Sequence, residues 1–90
     1  TILIKELSDE EFQVTVNAKK LTSHNVTLTN DTHQSLTNGK VNKKELIEFS
    51  LKFLLEREPN TSILSSFELS VIPTYFPEYR KTVKEWCTKN

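Results

Sequence analysis

Val41–Pro59 reads VNKKELIEFSLKFLLEREP, and this stretch decides the architecture. Asn42 is a good N-terminal cap, because its side-chain oxygen can accept a backbone N–H that the first helical turn leaves unpaired. Glu45, three residues on, completes a capping-box pattern, and Val41 with Leu46 forms a hydrophobic staple across the cap. Pro59 has no N–H and ends the run, so a long helix is expected over about residues 43–58. Glu45, Glu48, Lys52 and Glu56 fall on one narrow stripe. Leu46, Ile47, Phe49, Leu51, Phe53, Leu54 and Leu55 spread over about two-thirds of the circumference, against the ~100° stripe of an ordinary surface helix. Such a helix must be covered on more than one side, by its own chain or by a partner. Ser50 sits mid-arc, where it either lets another backbone approach or bonds back to its own i−4 carbonyl. Phe49, Ser50 and Phe53 are therefore the candidate interaction residues.

Upstream, the pattern changes to alternation. Thr1–Leu7 reads as an edge strand closed by the acidic turn Ser8–Glu11. Phe12, Val14 and Val16 alternate with Gln13, Thr15 and Asn17, and Val26 and Leu28 alternate with Asn25, Thr27 and Thr29. Asn17–Lys20 suits a hairpin turn, since Asn tolerates positive φ. Sequential strands with short links pair with one another, which gives a three-stranded antiparallel meander. Asn30 or Asp31 can then cap a short helical turn through Leu36, ended by Gly39, the chain's one glycine. Downstream of Pro59, Thr61 or Ser62 can cap a segment Ile63–Phe67, and Ser70 can cap Val71–Phe76. Pro77 opens a final helix with Tyr79, Val83, Trp86 and Cys87 on one apolar stripe. The expected fold is α+β in one domain, residues 1–90: a meander over 1–30, then a helical part over 31–90.

Composition narrows the function classes. Ninety residues at 36% hydrophobic support one modest core. Twelve basic and twelve acidic residues cancel, so no global field steers the chain to nucleic acid or membrane. Locally, residues 1–12 carry Lys5 against Glu6, Asp9, Glu10 and Glu11, whereas residues 13–44 carry Lys19, Lys20, Lys40, Lys43 and Lys44 against Asp31 alone. Those five lysines are the candidate phosphate contacts if the partner is anionic. No run approaches the ~20 apolar residues of a membrane span. The lone Cys87 excludes an internal disulfide, and with no leader-like segment a cytoplasmic location is expected. Asn25, Asn30 and Asn60 open glycosylation-type triplets, which a chain rich in Asn, Ser and Thr produces by chance.

Catalytic material is sparse. His24 and His33 have no metal-motif spacing and read as surface or turn residues. One glycine cannot make a phosphate loop, and Glu10–Glu11 lie in a turn. A hydrolase pairing Cys87 with a histidine is the one catalytic arrangement to weigh, and an apolar helix stripe is a poor setting for a reactive thiol. No enzyme activity, cofactor or metal is expected.

From His24 to Glu58 the order strand, short helix, turn and capped helix, with Asn42, Glu45, Leu46, Ile47, Ser50 and Leu51 in register, resembles the ribbon–helix–helix regulators and antitoxins. That resemblance implies a homodimer whose second helices pack together and whose paired strands read DNA. The outward strand residues would be Asn25, Thr27 and Thr29, without the Arg or Lys of direct readout. FLLEREP (53–59), SIL..F (62–67) and VI..YFPEY (71–79) are similar to a group of small bacterial proteins of uncharacterised function, which implies a fold and no activity. The leading expectation is a non-enzymatic module binding another protein, or itself as a dimer. The alternative is a DNA-binding regulator.

Overall fold

Alternation builds the sheet as expected. The computed structural model describes residues 2–89; Thr1, the first residue of the expected edge strand, lies outside the described residues. Strand β1 (Ile2–Glu6), β2 (Glu11–Asn17) and β3 (Leu21–Thr27) form an antiparallel meander. Ile4 pairs with Val14, and Val14 with His24. Period-2 geometry sends Phe12, Val14, Val16, His24 and Val26 to one face, where all are buried. The opposite face carries Lys5, Gln13 and Asn25 side by side and is left to solvent. Asn17 stays in the strand opposite Leu21, and the turn closes through Ala18–Lys20 without a left-handed residue.

Helix α1 (Asn30–Thr37) follows, capped by Thr29, whose hydroxyl accepts the Thr32 N–H, in place of Asn30 or Asp31. Asn38 and Gly39 end it in the left-handed region, at φ 53° and 74°. A Cβ on Gly39 would meet only Gln34 Oε1 at 3.5 Å, so backbone angle and not space selects glycine there.

Helix α2 (Lys43–Leu55) starts where its cap predicts, with Asn42 Oδ1 accepting the Glu45 N–H at 2.8 Å. It ends three residues short of the expected boundary at 58, with Arg57 and Glu58 bonded back to Leu54 in a tightened last turn. Val41 and Leu46 are both buried beside the cap.

The main correction concerns residues 59–68. The expected helical segment Ile63–Phe67 is instead a tight turn, Asn60–Ser62, leading into a short strand β4 (Ser66–Glu68). This strand lies parallel to β3, with Val26 opposite Phe67, and completes a four-stranded sheet in the order β1-β2-β3-β4. A further tight turn, Leu69–Val71, leads into helix α3 (Ile72–Tyr75), with no side-chain cap from Ser70. Helix α4 (Tyr79–Lys89) begins two residues after Pro77. The architecture is α+β, with all four helices following the meander and the helical layer closing the sheet's apolar face. Leu28, Leu46, Ile47, Leu51, Leu69, Ile72, Tyr79 and Val83 form its centre. Each large aliphatic side chain removed from water there contributes about 1.5–3 kcal/mol.

Candidate functional site

The broad apolar arc of α2 is covered by its own chain. Leu46, Ile47, Ser50, Leu51, Phe53 and Leu54 are all buried within this single subunit. Ser50 bonds back to its i−4 carbonyl, its hydroxyl donating to the Leu46 oxygen at 2.7 Å, and it also accepts from the Tyr79 phenol of α4, a partner its position did not suggest. Burial pushes the Tyr79 phenol well above its ordinary value of 10.0, and the Ser50 hydrogen bond offsets only part of that. Phe53 packs edge-on against Phe76 and Tyr79 and is roofed by the Arg57 guanidinium, 3.6 Å from its ring centre. Two of the three candidate interaction residues, Ser50 and Phe53, are thus internal. Only Phe49 keeps a partly exposed ring, stacked on Trp86 with centroids 4.4 Å apart.

The five candidate lysines do not form one patch. Lys19 and Lys20 lie in the β2–β3 turn, whereas Lys43 and Lys44 border a hollow with Glu6 and Phe12 at the far end of β2. A seven-residue strand separates the two groups by roughly 20 Å. Lys43 further commits its ammonium to the Asp9 carbonyl. Lys40 lies apart from both groups, where its charge acts on the Cys87 thiol. Strand β3, the segment matched to a DNA-reading ribbon, is flanked by β2 and, over Asn25–Thr27, by β4, so the edge a two-fold mate would use there is already paired.

Both histidines are fasteners. His24 is buried, against the surface position expected of it. Its Nδ1 donates to the Leu64 carbonyl at 2.8 Å, because a carbonyl can only accept, and its Nε2 accepts from the Thr22 hydroxyl at 2.9 Å. Asn60 Nδ2 donates to that same hydroxyl and to the Lys20 carbonyl. Three polar side chains thereby tie the 60–65 segment to β3. Asn60, which opens one glycosylation-type triplet, is buried with its amide nitrogen engaged. His33 Nε2 donates to the Val41 carbonyl and holds α1 to the connection before α2. Burial pushes the Cys87 thiol above its ordinary range, Lys40 offsetting part of that. No three metal-ligating side chains gather among the described residues, and no helix among them is long and apolar enough to cross a membrane.

What the sequence did not single out is a groove of about 310 Å³ beside β4. Its floor is apolar and buried: Leu54 from α2, Ile63 and Phe67 from the β4 segment, and Ile72 from α3. Its rim includes Leu64, 54% exposed, and Tyr75, 68% exposed. An apolar cavity of about 150 Å³ accepts a benzene ring, so this groove has room for an aromatic or branched side chain. The one charged residue in its lining is Glu58, half-buried just beyond the end of α2. The signal for this site is faint in sequence, because it depends on Ile63, Leu64 and Phe67 forming an extended segment against α3.

Compared with family models, curated proteins and solved structures, the chain finds no match in any of the three.

Proposed function

We propose that this protein is a non-enzymatic module that binds another protein, and that its contact surface is the groove between α2, the β4 segment and α3. The observation that carries this reading is the pair of large apolar residues, Leu64 and Tyr75, held exposed over a buried apolar floor. Exposed apolar surface continuous with a concave apolar floor is the anatomy of an anchor-residue pocket. The groove is open along one side, whereas sites for small ligands enclose most of the ligand. That favours a side chain projected from a larger surface.

The contact therefore moves from Phe49, Ser50 and Phe53 to residues 54–76. The engaged histidines and the raised thiol of Cys87 weigh against a Cys–His hydrolase. For the DNA-binding alternative the excess of lysine over residues 13–44 remains the support, and the scattering of those lysines weakens it. A reducing, cytoplasmic setting suits the lone buried thiol.

A displayed random-peptide library, selected on the wild-type protein, tests the reading. Enriched peptides should carry an aromatic or leucine anchor and lose binding to a folded Leu64→Asp variant. Peptides that bind wild type and variant alike would put the contact elsewhere.

A further inference from the structure

Glu58 is the feature of the groove that its apolar character does not explain. Glu58 lines the groove with Leu54, Ile63, Leu64 and Val71, and the residue is half-buried. The ion pairs among the described residues are Lys52–Glu48 and Arg57–Glu78, so Glu58 has no cation of its own. Arg57, its neighbour in sequence, is directed away, with its guanidinium over Phe53 and against Glu78. Lys52, the basic residue in the last turn of α2, is taken by Glu48.

Position compounds the effect. Glu58 follows the C-terminus of α2, the negative end of the helix dipole, where an acidic residue is disfavoured; Arg57 there donates to the Phe53 carbonyl at 3.0 Å. Glu56 adds a second carboxylate at the same helix end. A carboxylate at the negative end of a helix, without a counter-ion, is a ready partner for a cation. Neither Arg57 nor Lys52 forms an ion pair with Glu58.

Taking the groove as the contact surface, we propose that its occupant is an extended segment of a partner protein that carries a lysine or arginine beside its apolar anchor, with Glu58 as the counter-ion. The anchor fills the space over Ile63, Phe67 and Ile72, and the cation reaches the end of α2. Closing the groove desolvates the pair, so charge sets which anchors are accepted while apolar burial supplies the grip.

The same displayed library, selected in parallel on wild type, Glu58→Gln and Glu58→Lys, separates this inference from the reading beneath it. Wild type should enrich Lys or Arg next to the anchor, Glu58→Gln should lose that preference, and Glu58→Lys should invert it toward Asp or Glu. For one enriched peptide synthesised with Lys, and again with Glu at that position, the affinity ratio on wild type should be about tenfold. Anchored peptides that depend on Leu64 but show no charge preference would overturn the role of Glu58 and leave the groove standing. A library yielding nothing that Leu64→Asp abolishes would remove both. Concentration-dependent dimerisation that Leu64→Asp prevents would make the occupant a second copy of this chain, and would overturn the proposal in that form.

Discussion

At the scale of single residues, the chain resolves its internal polar groups by reciprocal pairing, and Ser50 with Tyr79 is the clearest case. Tyr79→Phe removes one buried hydrogen bond and should cost about 1 kcal/mol. Ser50→Ala leaves the phenol buried without an acceptor and should cost more, about 1–3 kcal/mol. The double variant should lie well below the sum of the two, a coupling that denaturant titration of the four proteins would measure. Tyr79 also gives an alkaline signature. Above its ordinary value of 10.0 the unfolded chain releases the phenolic proton, while burial makes the folded chain retain it. The unfolded state then binds fewer protons, so stability falls as pH rises past 10, by up to about 1.4 kcal/mol per pH unit. Tyr79→Phe should flatten that slope, as unfolding curves between pH 9 and pH 11 would register. Of the two roles open to Ser50, the i−4 back-bond is the one formed, and its phenol partner was illegible because Tyr79 lies 29 positions away. His24 was misread for a similar reason: its acceptor, the Leu64 carbonyl, belongs to a segment 40 positions distant.

At the scale of elements, what local chemistry could announce was legible. Asn42, Val41 and Leu46 marked the start of α2, and the alternation of Phe12, Val14 and Val16 marked β2 with its inward face. The helix end was less legible, since a proline sets only an outer limit and α2 ends at Leu55, four residues before it. β4 carried no usable signal. Three residues, SFE, with a single apolar side chain cannot display a period; β3 makes them a strand by offering an unsatisfied edge. The stacked Phe49–Trp86 pair that joins α2 to α4 is half-buried, so Trp86→Ala should cost about 2 kcal/mol, below the 3–5 of a fully enclosed aromatic. A thermal melt indistinguishable from wild type would mean that α4 is held by Tyr79, Val83 and Cys87 without it.

At the scale of the whole molecule, the sequence posed one question it could not decide: whether α2 is covered in cis or shared between subunits. The breadth of its apolar arc fits either answer. The meander, α3 and α4 cover it here, so the 90-residue chain is expected to run as a 10.4 kDa monomer by light scattering. A tight, salt-insensitive dimer would contradict that. The candidate groove was illegible for the same reason as β4, because the extended state of its β4 wall depends on pairing with β3. That dependence has a kinetic consequence. The meander closes through short turns, but His24 and Leu64 are 40 positions apart, with α1 and α2 lying between them in the chain. Ordering so long an intervening chain before any contact rewards it is characteristically slow. In stopped-flow refolding, signals from the sheet should therefore appear first, and recognition of an anchor peptide only with the slowest phase. A chain still in the course of folding would be invisible to its partner, so binding itself would report that folding had finished.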